Sequence, residues 1–189
     1  FLRRAIKDPI ADYGYYGSLA FILTHSGQAS AAEIFECHLA YAKGLMAWVD
    51  QQTFKGYEPV DKSTTRKLRI GFVSGDFKDN HPVSFYFSPI WDALDRRQFE
   101  LYGYNSAPAY ARNAGTDRFE SSADKWREVR HTSTLELAEM IKEDQIDILV
   151  DLAGHTGHNR LATFALKPAP VQISWVGYHA TTGLPAMDY

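Results

Sequence analysis

The sequence predicts an α/β protein with a parallel, doubly wound sheet that is preceded by α-helices. Four short runs, near 68–73, 99–104, 146–152 and 171–176, predict strands, and the last two are apolar runs typical of strands that are covered on both faces. Helical patterns lie between these runs at the spacing of strand-helix-strand units, whose crossovers are right-handed by default. The last two runs end in loops rich in Gly, His and Thr. Because ligands bind outside the carboxyl ends of strands in such sheets, the fold predicts a site at these loops.

Composition limits what such a site can belong to. The chain has 189 residues, of which 45% are apolar and 14% aromatic, and this is enough for one domain with an appendage. The formal net charge is -3, from 20 Lys and Arg against 23 Asp and Glu, and no long basic run is present. The electrostatic signature of a nucleic-acid binder is therefore missing, and we expect no nucleic-acid partner.

The single cysteine bears on the cellular compartment. Cys37 cannot form an intramolecular disulfide and lies in a helical pattern, which predicts a reducing, cytoplasmic environment. No apolar run approaches the roughly 20 residues that span a bilayer, and the first residues, FLRRAIKDP, lack the apolar stretch of a signal peptide. We expect no membrane partner. Because the chain opens on Phe1 rather than Met, we expect it to begin in mid-protein.

Two helical patterns open the chain. The first covers residues 13–25 and stops at a Ser-Gly pair, which is typical of a helix end. Ser30, with Glu33 three residues later, has the form of a capping box. It predicts a second helix that runs to about Trp48.

The second helix has a wide apolar face. We expect Phe35, Leu39 and Leu45 on it to be buried against a neighbouring helix or domain. His38 lies on the same face, and we interpret it as a core or surface histidine rather than a ligand. Residues 51–67 are polar and contain Gly, Pro and Ser, as linkers do, so we place a domain boundary there.

The second part of the chain opens as a strand-helix-strand unit. The strand at 68–73 leads into a Gly-containing loop and then into a helical stretch within 84–94. Pro89 leaves two interpretations of that helix open, because it either kinks the helix or lies in the first turn of a helix capped by Ser88.

Later elements follow the same alternation. Residues 106–117, rich in Ala, Pro, Asn and Gly, are interpreted as a loop. Ser133 and Glu136 form a second capping-box pattern, which predicts a helix over 133–144.

Candidate site residues follow the predicted strands. His81 comes after the first strand, and the proline that follows it biases its backbone toward an extended conformation. The loops after the last two strands contain further polar candidates. These are His155, Thr156, His158, His179, Thr181 and Thr182.

Other kinds of chemistry are not indicated. Asp147 and Asp151 share one face of a strand, but structural roles are favoured, with Asp151 ordering the following loop. His155 and His158 lack a third ligand at a familiar spacing, so we expect no metal. Neither G-x-G-x-x-G nor a phosphate-binding P-loop nor G-x-S-x-G occurs, and we therefore expect no dinucleotide cofactor and no nucleophile elbow.

Two segments match a known family. KLRIGFVSGDFKDNHPVS and DILVDLAGHTGHNRLATFALKPAPVQISWVGYHATTGLPAMDY resemble the O-linked N-acetylglucosamine transferase and SPINDLY family, strongly over 67–189 and more loosely over 19–49. The resemblance implies a GT-B glycosyltransferase, in which tetratricopeptide repeats precede two Rossmann-like lobes that face a cleft. Residues 1–60 then correspond to the end of the repeat array and its linker. Residues 67–189 correspond to the N-terminal catalytic lobe, which ends before the nucleotide-binding lobe.

The implied reaction is inverting transfer of a sugar from a nucleotide donor to a Ser or Thr hydroxyl of a polypeptide, without a metal or another cofactor. N-acetylglucosamine linked to UDP is the donor we expect, and fucose or glucose is the alternative sugar. Since the family holds the nucleotide chiefly with the C-terminal lobe, we expect this part of the chain alone to be inactive. A non-catalytic scaffold for protein partners is a further alternative. A sugar-nucleotide epimerase shares the GT-B plan but is not expected to carry the N-terminal helices.

The resemblance also implies roles for individual residues. His81, between Asn80 and Pro82 in an NHP motif, matches the active-site histidine. A hydroxyl is a poor nucleophile at neutral pH, so transfer needs proton removal, for which an imidazole is suited; a positioning role is the alternative. The remaining matches form two loops beside the donor sugar. They are Gly154, His155 and Thr156 in a GHT loop, and Thr181, Thr182 and Gly183 in a TTG loop, with His179 where the family usually has proline.

Overall fold

The computed structural model describes residue 3, residues 12–57, residue 63 and residues 65–189 of the chain. Two N-terminal helices, α1 (Tyr13–Thr24) and α2 (Ala31–Val49), precede an alternation of strands and helices. That alternation consists of β1 (Leu68–Ser74), α3 (Pro82–Ala93), β2 (Phe99–Asn105), α4 (Ala114–Ser122), β3 (Lys125–Glu128), α5 (Thr134–Glu143), β4 (Ile148–Asp151), α6 (Leu161–Ala165) and β5 (Val171–Ser174).

The five strands form one parallel sheet in the order β3-β2-β1-β4-β5. At its centre, Phe72 of β1 pairs with Gly103 of β2 and with Val150 of β4. Apolar residues of α2, α5 and α6 pack on one face of the sheet, and those of α3 and α4 pack on the other. The predicted architecture, a parallel sheet with helices on both faces, is thereby confirmed.

The structure differs from the predicted elements at five points. The third and fourth predicted strands are shorter, and β3 was not predicted at all. Helix α3 begins at Pro82 and runs through Pro89, so Ser88 does not cap it. Part of the predicted loop at 106–117 is helical, because α4 begins inside it with a capping box between Asn113 and Thr116.

Both helix starts predicted from capping patterns are confirmed. The Ser30 hydroxyl accepts a hydrogen bond from the backbone N–H of Glu33 at the start of α2. At the start of α5, Ser133 and Glu136 cap each other's backbone reciprocally.

The orientation of α2 was predicted incorrectly. Phe35 and Leu39 are 50% and 39% exposed, whereas Leu45 is buried as expected. The helix instead turns His38 and Tyr41 inward, and Tyr41 and Leu45 join the core that covers one face of the sheet. Periodicity defines an apolar stripe, but the partner surface decides which edge of that stripe faces inward.

The boundary between helices and sheet falls in the predicted linker. Residues 58–62 and 64 of that linker lie outside the described residues. The division of the chain into a repeat-like segment and a catalytic lobe stays a prediction. Among the residues that the structure describes, no helix combines the length and apolar character that a membrane crossing requires.

Candidate active site

The carboxyl ends of all five strands lie at one edge of the sheet because the strands are parallel. The chain winds from β1 outward to β2 and β3, and then returns to the other side of β1 with β4 and β5. The point of reversal therefore falls between β1 and β4. This is the position where open α/β sheets bind ligands.

The loop after β1 is held by its own side chains. The Ser74 hydroxyl accepts a hydrogen bond from the backbone N–H of Asp76, and the Ser84 hydroxyl donates to the backbone oxygen of Asp76 at 2.6 Å. These bonds tie the loop to both the strand before it and the helix after it. The loop also reaches the loop after β4, since a Cβ atom added to Gly75 would lie 3.0 Å from Cβ of His158.

His81 ends this loop as the residue just before α3, with an extended backbone. Its side chain is 32% exposed, and its Nε2 lies 3.4 Å from Oδ1 of Asp76. The same carboxylate oxygen lies 3.0 Å from Nζ of Lys78. His81 Nδ1 is buried and has no hydrogen-bond partner among the described residues. His81 thus combines a neighbouring carboxylate with one unpaired nitrogen.

The loop after β4 is organised by Asp151. This buried carboxylate accepts hydrogen bonds from the backbone N–H groups of Ala153 and Gly154, at 3.1 and 2.8 Å, and from the hydroxyl of Ser174 on β5. The prediction that Asp151 orders its loop is confirmed. Burial raises the pKa of Asp151 to about 6, although the three hydrogen bonds oppose the rise.

His155 lies in the same loop and is 7% exposed. Its Nε2 is 3.0 Å from the backbone oxygen of Thr182. Since a carbonyl oxygen can only accept, the neutral ring carries its proton on Nε2 and donates it to Thr182. Burial lowers the pKa of His155 to about 4, with a smaller contribution in the same direction from His38. His155 is therefore a neutral group that joins the loops after β4 and β5.

The loop after β5 turns sharply at its start. Val176 has a φ of 53°, which is unusual for a β-branched residue, and the N–H of Gly177 donates to the oxygen of Trp175 at 2.7 Å. A Cβ atom at position 177 would lie 1.6 Å from the backbone oxygen of Leu152. Only glycine therefore permits this close approach of the two loops.

Helices α1 and α2 cover the loops after β4 and β5. The ring of His155 lies 4.9 Å from the ring of His38 and 4.6 Å from that of Tyr41, measured between centroids. The imidazole of His25, just after α1, lies 5.1 Å from that of His179. Contacts between imidazole and phenol rings thus join the N-terminal helices to the loops at the carboxyl edge of the sheet.

The structure divides the predicted site residues into two groups. His155, Thr182 and Gly183 lie together beneath α2, whereas His81 lies in the loop after β1 with Asn80 and Pro82 beside it. Among the described residues, no hydrogen bond or ring contact joins His81 to the first group. The assignment of His81 as a catalytic residue, and of the others to the donor-sugar cleft, stays a prediction.

Two cavities lie beside the covered loops. One, of about 650 Å³, lies between α1 and the loop after β4, and its lining includes His155 and Thr156. The other, of about 300 Å³, is lined in part by Tyr178, Thr181 and Thr182. Within the described part of the chain, no group of three His, Cys, Asp or Glu side chains is arranged to hold a metal ion.

Sequence reasoning missed three residues at this edge. Asp76 was not selected, although it precedes His81 by five residues in the same loop. Tyr178 was passed over, and His38 was interpreted as lacking a ligand role; their contact with each other joins positions 140 residues apart. No local pattern could have revealed that contact.

A parallel sheet whose candidate residues gather at the carboxyl edge, beside the point of topological reversal, defines a ligand-binding α/β protein of the Rossmann-like class. The chain belongs to glycosyl transferase family 41, whose model matches residues 16–189. This confirms the family resemblance drawn from the two sequence segments.

Individual relatives agree with the family. The chain is 33% identical over 171 residues to the probable UDP-N-acetylglucosamine-peptide N-acetylglucosaminyltransferase SPINDLY of Solanum lycopersicum, a match that covers 88% of this chain and 18% of the relative. It is 39% identical over 131 residues to the UDP-N-acetylglucosamine-peptide N-acetylglucosaminyltransferase of Caenorhabditis elegans, covering 66% of this chain and 11% of that protein. The chain therefore spans less than a fifth of the length of these relatives.

A solved structure shows the same fold. It is a mutant of the O-GlcNAc transferase of Thermobaculum terrenum, which superimposes on this chain with a TM-score of 0.87 at 37% sequence identity. The match covers 100% of this chain and 35% of that protein. The parallel sheet and its helices thus have the GT-B catalytic fold predicted from the sequence.

Proposed function

We propose that this chain is part of a protein O-glycosyltransferase that transfers N-acetylglucosamine from UDP-N-acetylglucosamine to Ser or Thr hydroxyls of polypeptides. Membership of family 41 supports the class of reaction, and the names of the relatives supply the donor and the peptide acceptor. The observation that carries the proposal is the His81 and Asp76 pair beside the reversal point of the sheet.

In this proposal His81 is the general base. The side chain is partly exposed and its Nε2 lies 3.4 Å from the carboxylate of Asp76, so the imidazole is placed to take up a proton beside a negative charge. The acceptor oxygen attacks the anomeric carbon, its proton passes to His81, and the bond from that carbon to the diphosphate breaks with its electron pair. Asp76 stabilises the imidazolium that forms, as a carboxylate does for a neighbouring protonated histidine.

The loops after β4 and β5 are proposed to face the donor sugar. Thr181 and His179 are exposed at the edge, and the cavity lined by Tyr178, Thr181 and Thr182 offers space beside them. A second lobe, outside this chain, is proposed to hold the nucleotide and stabilise the leaving diphosphate. We propose that the reaction needs no metal.

The segment before the sheet is proposed to be the end of a tetratricopeptide array with its linker, because α1 and α2 are consecutive helices that pack against each other. A cytoplasmic location belongs to the same proposal. Cys37 is a free, buried thiol, the form expected in a reducing compartment.

The test is a transfer assay with the intact, longer protein. Labelled nucleotide sugars carrying N-acetylglucosamine, fucose or glucose are incubated with candidate polypeptides, and the modified residues are read by mass spectrometry. We expect transfer of N-acetylglucosamine to Ser or Thr, and loss of that transfer in His81→Ala. Transfer of fucose or glucose alone would overturn the donor assignment, and the lack of transfer from every donor would contradict the enzyme and favour a scaffold.

A further inference from the structure

His38 lies on α2, outside the sheet, yet both of its ring nitrogens are engaged. The side chain is 0% exposed. Nδ1 lies 2.7 Å from the backbone oxygen of Ile34, and Nε2 lies 2.8 Å from the hydroxyl of Tyr178. Because a carbonyl oxygen can only accept, Nδ1 carries the proton and Nε2 accepts a hydrogen bond from Tyr178. His38 is therefore a neutral ring with a defined tautomer.

The loop after β5 is anchored to His38 at two points. Tyr178 donates its hydroxyl to the ring, and Gly183 lies against the backbone, where an added Cβ atom would be 2.5 Å from the oxygen of His38. A third anchor is the bond from His155 to the backbone oxygen of Thr182. The segment between the first two anchors, 179–182, includes the exposed His179 and Thr181.

These contacts do more than fill space. An apolar side chain at position 38 could occupy the same volume, whereas a buried imidazole is destabilising unless its nitrogens are hydrogen-bonded. The ring satisfies that need only when the Tyr178 hydroxyl is in place. The contact thus favours one position of the loop over others, and it does so from a helix that lies outside the sheet.

We propose that His38 is a positioning residue, which holds loop 177–183 in the conformation that receives the donor sugar. The inference rests on the proposed function, since it assigns a purpose to the same site. Helix α2 would then help to shape the donor site, in addition to connecting the sheet to the segment before it.

Two substitutions separate the two bonds of His38. An Asn amide reaches about as far as Nδ1, so His38→Asn keeps a donor for Ile34 and loses the partner of Tyr178. A Gln amide reaches about as far as Nε2, so His38→Gln can still accept from Tyr178. If His38 positions the loop, His38→Asn and Tyr178→Phe each raise the KM for the nucleotide sugar about tenfold, which corresponds to about 1.4 kcal/mol, with a smaller change in kcat.

The double variant gives the sharpest readout. Both substitutions remove the bond between His38 and Tyr178, and Tyr178→Phe also removes the contact of that hydroxyl with Thr24, so we expect His38→Asn with Tyr178→Phe to raise KM no further than Tyr178→Phe alone. His38→Gln is expected to restore a KM close to wild type. Leu39→Ala, at the neighbouring exposed position on α2, is the matched control and should leave KM unchanged. Additive effects, or equal effects of Asn and Gln at position 38, would overturn the positioning role.

A second measurement separates this inference from the proposed function. Amide hydrogen exchange in 179–182 of the intact protein should be faster in His38→Asn than in His38→Gln, and equal exchange would overturn the positioning role. If the wild type transfers sugar while His38→Asn keeps a normal KM, only the positioning role fails. If the wild type transfers no sugar from any donor, the proposed function fails and the inference fails with it.

Discussion

The two halves of the carboxyl edge of the sheet are built differently. In the loop after β1, His81 is partly exposed and lies beside the charged groups of Asp76 and Lys78. In the loops after β4 and β5, His155 and Thr182 are buried under α2 and meet uncharged rings and backbone atoms. A partly exposed imidazole beside a carboxylate is suited to moving protons, whereas a buried neutral imidazole is suited to fixing geometry.

This contrast suggests a different role for each half. The open half, which is the loop after β1, carries the proposed proton transfer. The covered half, which comprises the loops after β4 and β5, is proposed to receive the donor sugar. Both halves contain histidines in loops after strands, so residue type alone does not distinguish the two halves. They are distinguished by how deeply each histidine is buried and by which groups surround it.

The largest effect is expected in the open half. Replacing His81 with Ala in the intact protein should lower kcat by roughly 10²–10⁴ if it is the general base. The free energy of unfolding should change little, because the side chain is 32% exposed and a partly exposed contact such as that with Asp76 contributes little to stability. Steady-state kinetics and urea unfolding measure the two quantities. His131→Ala, at an exposed histidine beyond β3, is the matched control and should keep wild-type turnover.

An unchanged turnover in His81→Ala would contradict the base assignment. A loss of turnover that is explained by a loss of folded protein would also contradict it, because His81 would then contribute to stability and not to proton transfer.

The next effect concerns the pH dependence of the covered half. The unfolded chain protonates His155 near its ordinary pKa of about 6.5, whereas the folded protein holds that pKa at about 4. The folded state therefore loses stability as the pH falls from 6.5 to 4, by roughly 3 kcal/mol from this group. Asp151 acts in the opposite sense, since its folded pKa of about 6 lies above its ordinary value and its contribution is lost as the pH rises through 6.

His155→Gln isolates the histidine contribution. The Gln amide can still donate to Thr182, but it does not titrate. We expect the stability of the variant relative to wild type to rise by roughly 3 kcal/mol between pH 6.5 and pH 4, measured by urea unfolding at each pH. A stability difference that is the same at both pH values would show that His155 is not held neutral by burial.

A smaller effect is expected from the backbone contact between α2 and the loop after β5. Gly183 has a φ of 77°, and an added Cβ atom would lie 2.5 Å from the oxygen of His38. Gly183→Ala should therefore lower the free energy of unfolding by about 1–3 kcal/mol. Gly157→Ala, in the loop after β4, is the control, because an added Cβ there meets nothing within 4 Å. Equal free energies of unfolding for the two variants would mean that the close contact between α2 and the loop after β5 does not stabilise the protein.

Much of the fold was predictable because four strands are short apolar runs and two helices begin at a serine with a glutamate three residues later. The edge strand β3, with the sequence KWRE, was missed because three of its four residues are charged and it lacks an apolar run. Helix α4 was missed because its sequence, AGTDRFESS, is rich in small and polar residues that resemble a loop, and its cap is an Asn paired with a Thr.

The candidate site was predictable only in outline. Topology placed the loops of His81, His155 and Thr181 at one edge, because parallel strands end together. The covering of His155 by α2 depends on contacts such as that of His38 with Tyr178, which local periodicity does not encode. Sequence reasoning thus located the loops without distinguishing the open half from the covered half.

The most direct measurement is a crystal structure of the intact protein with a nucleotide sugar and an acceptor peptide bound. We expect the acceptor hydroxyl to lie within hydrogen-bond reach, roughly 2.6–3.2 Å, of the imidazole of His81. We also expect the sugar to contact loop 177–183 while the rings of His38 and His155 stay buried between α2 and the loops after β4 and β5. A sugar bound at the opposite edge of the sheet would contradict the proposed site, and a donor site that forms only after α2 has moved away from Tyr178 would contradict the positioning role of His38.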